Sequence, residues 1–316
     1  MGQVNVKIVA VVIALALAGP ALAEEPVRTE LIRLQKETGL TLASFYRNVQ
    51  TVKFADREVS QEAVFHPGGV PQEGHLSRDG TRIALVIATG NRDYLAVGGR
   101  NGTGFRLYPE IVNPYDICWS FDHSALVLQS GSQPSPALLK LDVASGLTLK
   151  INQSSYVSSQ CWSPDGRQFV YDSGGSIRVY DLDKRESREI AAGKAPTWSP
   201  DGLWIAFLED GAFYAIRPSG EGKKLLFQSS DVRSPLWWSP DSRFVAYICS
   251  AGSRKLAEIL SSLPAVLQLR VRRLVDNSED YVSEIPDKGY VPSYQWIEPN
   301  GVLPENLKGK YEGKHE

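Results

Sequence analysis

Sulfur and imidazole are scarce in this chain: 316 residues hold three cysteines, one methionine and four histidines. Three cysteines are too few for a disulfide-stapled scaffold or a four-cysteine zinc site. The histidines, His66, His75, His123 and His315, have no ligand spacing to one another or to a cysteine. His66 and His75 flank a Pro/Gly-rich loop, and the sequence gives no reason to expect a metal there. Charge of one sign is also missing. With 34 Lys+Arg against 36 Asp+Glu there is no basic block of the kind a nucleic-acid partner requires. Arg270, Arg272 and Arg273 form the densest basic cluster, and their alternation with Leu269, Val271 and Leu274 predicts a strand with a solvated face.

Long apolar runs are absent beyond the first residues. Lys7 precedes the uncharged run Ile8 to Ala18, Gly19-Pro20 breaks it, and Ala21-Leu22-Ala23 offers a small-x-small cleavage site. Eleven residues rise only about 16 Å as a helix, against about 30 Å of hydrocarbon core. Residues 1–23 therefore read as a secretory signal peptide, and no membrane span is expected after its removal. Loss of Lys7 leaves 33 Lys+Arg against 36 Asp+Glu, a formal charge of −3. The first cysteine is Cys118, so none stands at the cleavage site to carry a lipid. Catalytic motifs are missing too: there is no Gly-x-Ser-x-Gly elbow and no His-Glu-x-x-His pair. The run Gly98-Gly-Arg-Asn-Gly-Thr-Gly104 lacks the Gly-Lys-Ser/Thr ending of a phosphate loop, and Asn101-Gly102 reads as a hairpin turn. No catalytic residue and no cofactor is expected on these grounds.

What is present is a repeat. It reads Leu76-Ser-Arg-Asp-Gly80, Trp119-Ser-Phe-Asp-His123, Trp162-Ser-Pro-Asp-Gly166, Trp198-Ser-Pro-Asp-Gly202 and Trp238-Ser-Pro-Asp-Ser242, with a degenerate copy at Trp296 to Gly301. The serines are spaced by 43, 43, 36 and 40 residues, and about 58 separate the last pair of copies. A period near 40 is one four-stranded propeller blade. Pro presets φ, Asp bonds to nearby amides and Gly tolerates positive φ, so each copy predicts a turn between strands. Apolar runs follow: Arg82 to Ile87, Gln168 to Tyr171, Trp204 to Leu208 and Arg243 to Ile248. A further strand is expected at Ser176 to Leu182 and at Ala212 to Ile216, after the turns Gly174-Gly175 and Asp210-Gly211.

The Trp-Ser-Pro-Asp-Gly string, its apolar strand and the Val-Tyr-Asp-Leu strand after it resemble the repeat of the TolB-like β-propeller family, over roughly residues 76–250. The resemblance implies an all-β propeller working at the bacterial cell envelope. About six four-stranded blades are expected. Strand-like segments at Phe45 to Phe54 and Glu58 to Phe65 would complete the blade begun at Tyr290 to Glu298 and close the ring.

The domain reading is a signal peptide at 1–23, a helix or arm at 24–40, the propeller at 41–302 and a polar tail at 303–316. Val27, Leu31 and Leu34 form a helical stripe, expected to pack on the propeller rather than serve as a partner-binding arm. A second helix-like segment, Lys255 to Leu263, sits in the longest interval; Leu256, Ile259, Leu260 and Leu263 are the candidate partner-binding residues. The aspartates Asp79, Asp122, Asp165, Asp201 and Asp241 are expected to cap their own turns rather than form a cation-binding ring. The column Trp119, Trp162, Trp198 and Trp238 reads as packing between blades, which leaves Trp204 and Trp237 open to other use. Cys118 and Cys161 hold equivalent positions in successive repeats; buried thiols are the default expectation and a bridge the alternative.

The functional expectation is a non-enzymatic protein-interaction module, periplasmic or secreted, with an envelope or periplasmic protein as partner and no nucleic acid. The alternative is a small-molecule or glycan binder, or a hydrolase- or lyase-type enzyme, using the central channel. A structural accessory is the third reading.

Overall fold

The computed structural model describes residues 33–34, 36–37, 41–45, 51–53, 58–60, 70–99, 104–131, 136–153, 156–157, 161–229, 232, 236–250, 266–276, 279–286 and 293–297. Its named elements are all strands. Near the N-terminus come β1 (Thr41–Phe45), β2 (Thr51–Lys53) and β3 (Glu58–Ser60). Blade 1 is β4 (Val70–Leu76), β5 (Arg82–Ala88), β6 (Asp93–Gly99) and β7 (Arg106–Val112). Blade 2 is β8 (Tyr115–Trp119), β9 (Ala125–Ser130), β10 (Ala137–Asp142) and β11 (Thr148–Gln153). Blade 3 has β12 (Gln168–Ser173), β13 (Ser176–Asp181) and β14 (Glu186–Ala192). Blade 4 is β15 (Lys194–Trp198), β16 (Ile205–Glu209), β17 (Ala212–Ile216) and β18 (Lys224–Gln228). Blade 5 is β19 (Trp237–Trp238), β20 (Phe244–Ser250), β21 (Val266–Arg273) and β22 (Glu279–Pro286), and β23 (Ser293–Ile297) follows.

Six antiparallel sheets result, five of four strands and one of three. The exception is blade 3, where Tyr156 and Trp162 touch β12 only through isolated bridges to Asp172 and Phe169. The ring closes through a composite blade of order β23-β1-β2-β3. Thr41 pairs with Ile297 and Phe45 with Ser293, so the last described strand is hydrogen-bonded to the first. The expected single segment Phe45 to Phe54 is in fact a hairpin, with strands ending at Phe45 and resuming at Thr51.

Second strands explain the continuous apolar runs. β9 is buried along its whole length, and β20 in all but its last residue. A strand pressed between neighbouring blades buries both faces, so it reads as a run rather than an alternation. Outer strands such as β14 are mostly exposed and charged. Arg272 in β21 departs from the expected solvated face: its guanidinium lies 4.6 Å from the centre of the Phe227 ring on blade 4. Leu34, in a short helical stretch with Arg33, Lys36 and Glu37, is fully buried among Trp237, Phe244 and Trp296.

The five Ser-x-Asp motifs fold into the same turn. The serine hydroxyl donates to the aspartate two residues on at 2.6 Å in all five copies. It also accepts the amide five residues on at 2.9 Å. The aspartate in turn accepts the amide two residues beyond itself. The fifth position needs positive φ, which Gly80, Gly166 and Gly202 adopt, and which His123 (59°) and Ser242 (58°) are held in despite their side chains. All five serines are buried, so removing one hydroxyl strands a carboxylate and an amide. Ser163→Ala is expected to lower stability by about 2 kcal/mol, read as a shift in the urea midpoint.

Candidate functional site

First strands meet at the axis. At the end carrying the Ser-x-Asp turns, Leu76, Trp119, Trp162, Trp198, Trp238 and Trp296, one from each blade, line a single cavity of about 50 Å³. Phe121, Pro200 and Pro240, from the third positions of their motifs, add to its wall. The cup is an aromatic and apolar enclosure with room for a few waters or one short aliphatic group. Among the described residues its one charged lining residue is Arg78, at the motif position where blades 3, 4 and 5 carry proline. Arg78 starts in blade 1, lies 4.5 Å from the centre of the Phe121 ring in blade 2, and donates to the Pro240 carbonyl of blade 5 at 3.3 Å. Its side chain thus spans the cup.

Blade-to-blade bonds hold the tryptophans in place. The indole N–H of Trp119 donates to the His75 carbonyl at 2.8 Å, and that of Trp162 to the Cys118 carbonyl at 3.3 Å. Trp238 donates to the Thr197 hydroxyl at 3.0 Å, and Trp296 to the Trp237 carbonyl at 2.9 Å. In each case the acceptor residue immediately precedes the column residue of the previous blade, so the bond ties one first strand to the next. Trp198 is the exception: its buried indole nitrogen has no hydrogen-bond partner. Beside the column, Cys118 and Cys161 form a disulfide with Cα atoms 6.2 Å apart, in place of the buried thiols expected. Cys249 lies buried in blade 5, outside that pair.

The motif carboxylates are occupied by their turns. For Asp79, burial alone would raise the pKa, but hydrogen bonds from Ser77 and Thr81 outweigh it and hold the group below its usual value. Asp122 is lowered in the same way, against burial, by Ser120 and Ser124. His123 Nδ1 lies 3.4 Å from Asp79 Oδ2, joining the turns of blades 1 and 2. Burial, more than Asp79 can offset, lowers the His123 pKa and favours the neutral ring.

A second polar group lies where the first strands begin. Asp116 (φ 51°) and Ala195 (φ 52°) sit at bulges in β8 and β15. Tyr115 donates to Gln129 at 3.2 Å, Gln129 to Asp116 at 2.7 Å, and the Ala195 amide to Asp172 at 2.7 Å. Burial raises the pKa of Tyr156, and the charges of Asp116 and Asp172 push it further. Asp172 is itself raised by burial. Among the described residues no three His, Cys, Asp or Glu side chains are grouped to hold a metal, and no helix is long and apolar enough to cross a membrane.

No family model matches the chain. Among solved structures, TolB from Acinetobacter baumannii superposes with a TM-score of 0.60 at 14% identity, covering 84% of this chain and 70% of that one. A putative TolB from Agrobacterium tumefaciens gives 0.54 at 14% identity, covering 82% of this chain and 98% of its own. The fold is a TolB-like β-propeller. The same architecture also serves a different chemistry: oligogalacturonate lyase from Vibrio parahaemolyticus matches with a TM-score of 0.53 at 13% identity, over 77% of this chain and 78% of that one. At these identities the likeness is one of fold.

The structure gathers the tryptophan column, extended by Leu76 and Trp296, around the cup. Trp237 is buried beside Trp296, and Trp204 carries Arg217 at 5.1 Å and Lys224 at 3.7 Å from its ring centre. His66, His315 and the candidate contact residues Leu256, Ile259, Leu260 and Leu263 lie outside the described residues, as do residues 1–23 and 303–316. The flanks of the 251–265 segment are nonetheless placed: Ser250 ends β20 and pairs with Leu267, at the end of blade 5 opposite its Ser239–Phe244 turn. Sequence reasoning missed Arg78 as a site residue. Its replacement of proline in the aligned motif was the available signal.

Proposed function

We propose that the chain is an exported, non-enzymatic protein-interaction module of the bacterial cell envelope, with the axial cup as its contact site for a periplasmic or envelope protein. The observation that carries this reading is the composition of the cup. Tryptophans from five blades converge on one small apolar cavity, while the nearby motif carboxylates are spent on their own turns. Desolvated aromatic clusters of this kind are where interfaces concentrate binding energy. The signal-like residues 1–23 support export. Leu256, Ile259, Leu260 and Leu263 are proposed as a second contact.

One observation favours the channel-chemistry alternative, a small-molecule or glycan binder or a lyase- or hydrolase-type enzyme. It is the half-buried Tyr156 beside Asp116 and Asp172: burial raises the pKa of Tyr156, which keeps the phenol protonated as a hydrogen-bond donor, and raises that of Asp172, which brings its carboxyl nearer neutrality. The two readings separate by experiment. Leu76→Trp completes the ring of indoles and fills the cup. Mature 24–316 is expected to retain a stoichiometric envelope protein in affinity capture, and the folded Leu76→Trp protein to lose it by more than tenfold. Equal retention by both would reject the cup, and deletion of 255–263 would then show whether the second contact carries the binding.

A further inference from the structure

Among the described strands, each sheet ends in an outer strand that is paired on one side only. Most of these edges are guarded. β3 is three residues long. β7 carries Pro109 and Glu110, β11 has Lys150 in its middle, β14 holds Glu186, Arg188 and Glu189, and β22 holds Glu279, Asp280, Glu284 and Pro286. Short length, proline and charge are the devices that stop a strand edge from pairing with another chain. β18 has none of them beyond Lys224 at its first residue; Leu225, Leu226, Phe227 and Gln228 follow. Leu225 is 51% exposed. An excess of positive charge surrounds the start of this strand. Arg217 and Lys224 are exposed and lie over the Trp204 ring, 5.1 and 3.7 Å from its centre. Arg188 donates to the carbonyls of Pro218 and Ser219 in the turn that leads into β18. Lys223 is paired with Glu209, but Arg188, Arg217 and Lys224 form no ion pair among the described residues, and Glu221 in the same turn forms none either.

We propose that the open edge of β18 takes an extended, acidic segment of a partner protein as a fifth strand of blade 4. β18 lies three strands out from the axial β15, so this contact is separate from the cup. The unguarded edge sets the conformation of the occupant: it offers backbone hydrogen bonds and the apolar Leu225, which an extended chain satisfies and a helix does not. The Ser229 amide donates inward to the Gly211 carbonyl at 3.2 Å, so the amide of Gln228, next along the chain, points outward to the incoming strand. The cations set its charge. Trp204 holds Arg217 and Lys224 in place without neutralising them, and carboxylates on the segment complete the pairing.

The probe is a fluorescein-labelled peptide, Glu-Thr-Val-Thr-Val-Thr-Glu, titrated with the purified protein and read by anisotropy. It is expected to bind, and to bind more weakly as salt is raised. The same peptide N-methylated along its backbone keeps its charge and loses its ladder bonds, so it should bind at least about tenfold more weakly. Arg217→Glu/Lys224→Glu should also cost the acidic peptide about tenfold, and should bind a lysine-ended version of the peptide better than the wild type does. Gln228→Pro removes only an outward amide; it should keep the urea midpoint of the wild type and lose the peptide. Equal affinity for the N-methylated and unmodified peptides, or equal affinity of the charge-reversed and wild-type proteins for the acidic peptide, would overturn the proposal. So would a monomer–dimer equilibrium in sedimentation that Gln228→Pro abolishes, which would give the edge to a second copy of this chain. Absence of peptide binding at millimolar concentration would reject it outright. None of these outcomes bears on the cup.

Discussion

A chain ending at residue 292 should show no cooperative unfolding transition, and Trp296→Ala in the full chain should lose about 4 kcal/mol. The reason lies in how the ring closes. β23 supplies the axial strand of a blade whose other three strands come from the opposite end of the sequence. Without it, β1 exposes an unpaired edge and blade 5 loses its neighbour. Trp296 is 2% exposed, packs with Leu34, Trp237 and Leu269, and donates to the Trp237 carbonyl. Removing so large a buried ring costs about 3–5 kcal/mol in cavity and transfer terms. Guanidinium melts followed by far-UV circular dichroism would read both proteins. A cooperative transition in the truncated chain would mean that the ring does not depend on this seam.

Removal of the disulfide is the second large effect. The bridge joins the first strands of blades 2 and 3 across 43 residues of chain. Loop-closure entropy for that separation comes to about 4 kcal/mol at 25 °C. Among the described residues, blade 3 has three regular strands and its axial segment is joined to β12 by isolated bridges, so the covalent tie supports a segment with few ladder bonds of its own. Cys118→Ala/Cys161→Ala is therefore expected to melt about 10 °C below the oxidised protein, and reduction of the wild type should reproduce most of that drop. Oxidised protein should also yield a 118–161 linked peptide pair in a non-reducing digest. Equal melting temperatures for the variant and the oxidised protein would show that the bridge adds nothing to blade 3.

The propeller was legible because its turns are chemical. Ser, Asp and Gly recur at fixed offsets, and the same three kinds of hydrogen bond stand behind all five copies. Strand existence followed from the apolar runs, and Ala212 to Ile216 was read to the residue. Closure was legible as well, since each end of the chain held a remainder of one blade. Less legible was whatever depends on neighbours far apart in sequence. The hairpin between Phe45 and Thr51 carries no strong turn signal. The first strand of blade 3 reads like the others, yet among its described residues only Tyr156 and Trp162 bridge to β12.

The site shows the same division. The tryptophan column announced itself, but packing between blades and lining a cup are the same position seen from two sides. Only the ring brings the six column residues to one axis. Arg78 differs from proline by a substitution that any motif copy tolerates, and its span from blade 2 to blade 5 exists only in the assembled circle. The free N–H of Trp198 is invisible in a string where Trp162, Trp198 and Trp238 look alike. The same holds for the disulfide: equivalent positions suggested proximity, and the 6.2 Å between Cα atoms decided it.

The most direct test of the cup as a partner site is photo-crosslinking from position 121, with p-benzoylphenylalanine in place of Phe121 on the cup wall. Irradiation in envelope extract should give one dominant protein adduct that disappears when Leu76→Trp fills the cavity. A bait that folds and forms no protein adduct from this position, or one whose adduct survives the filled cup, would contradict the account.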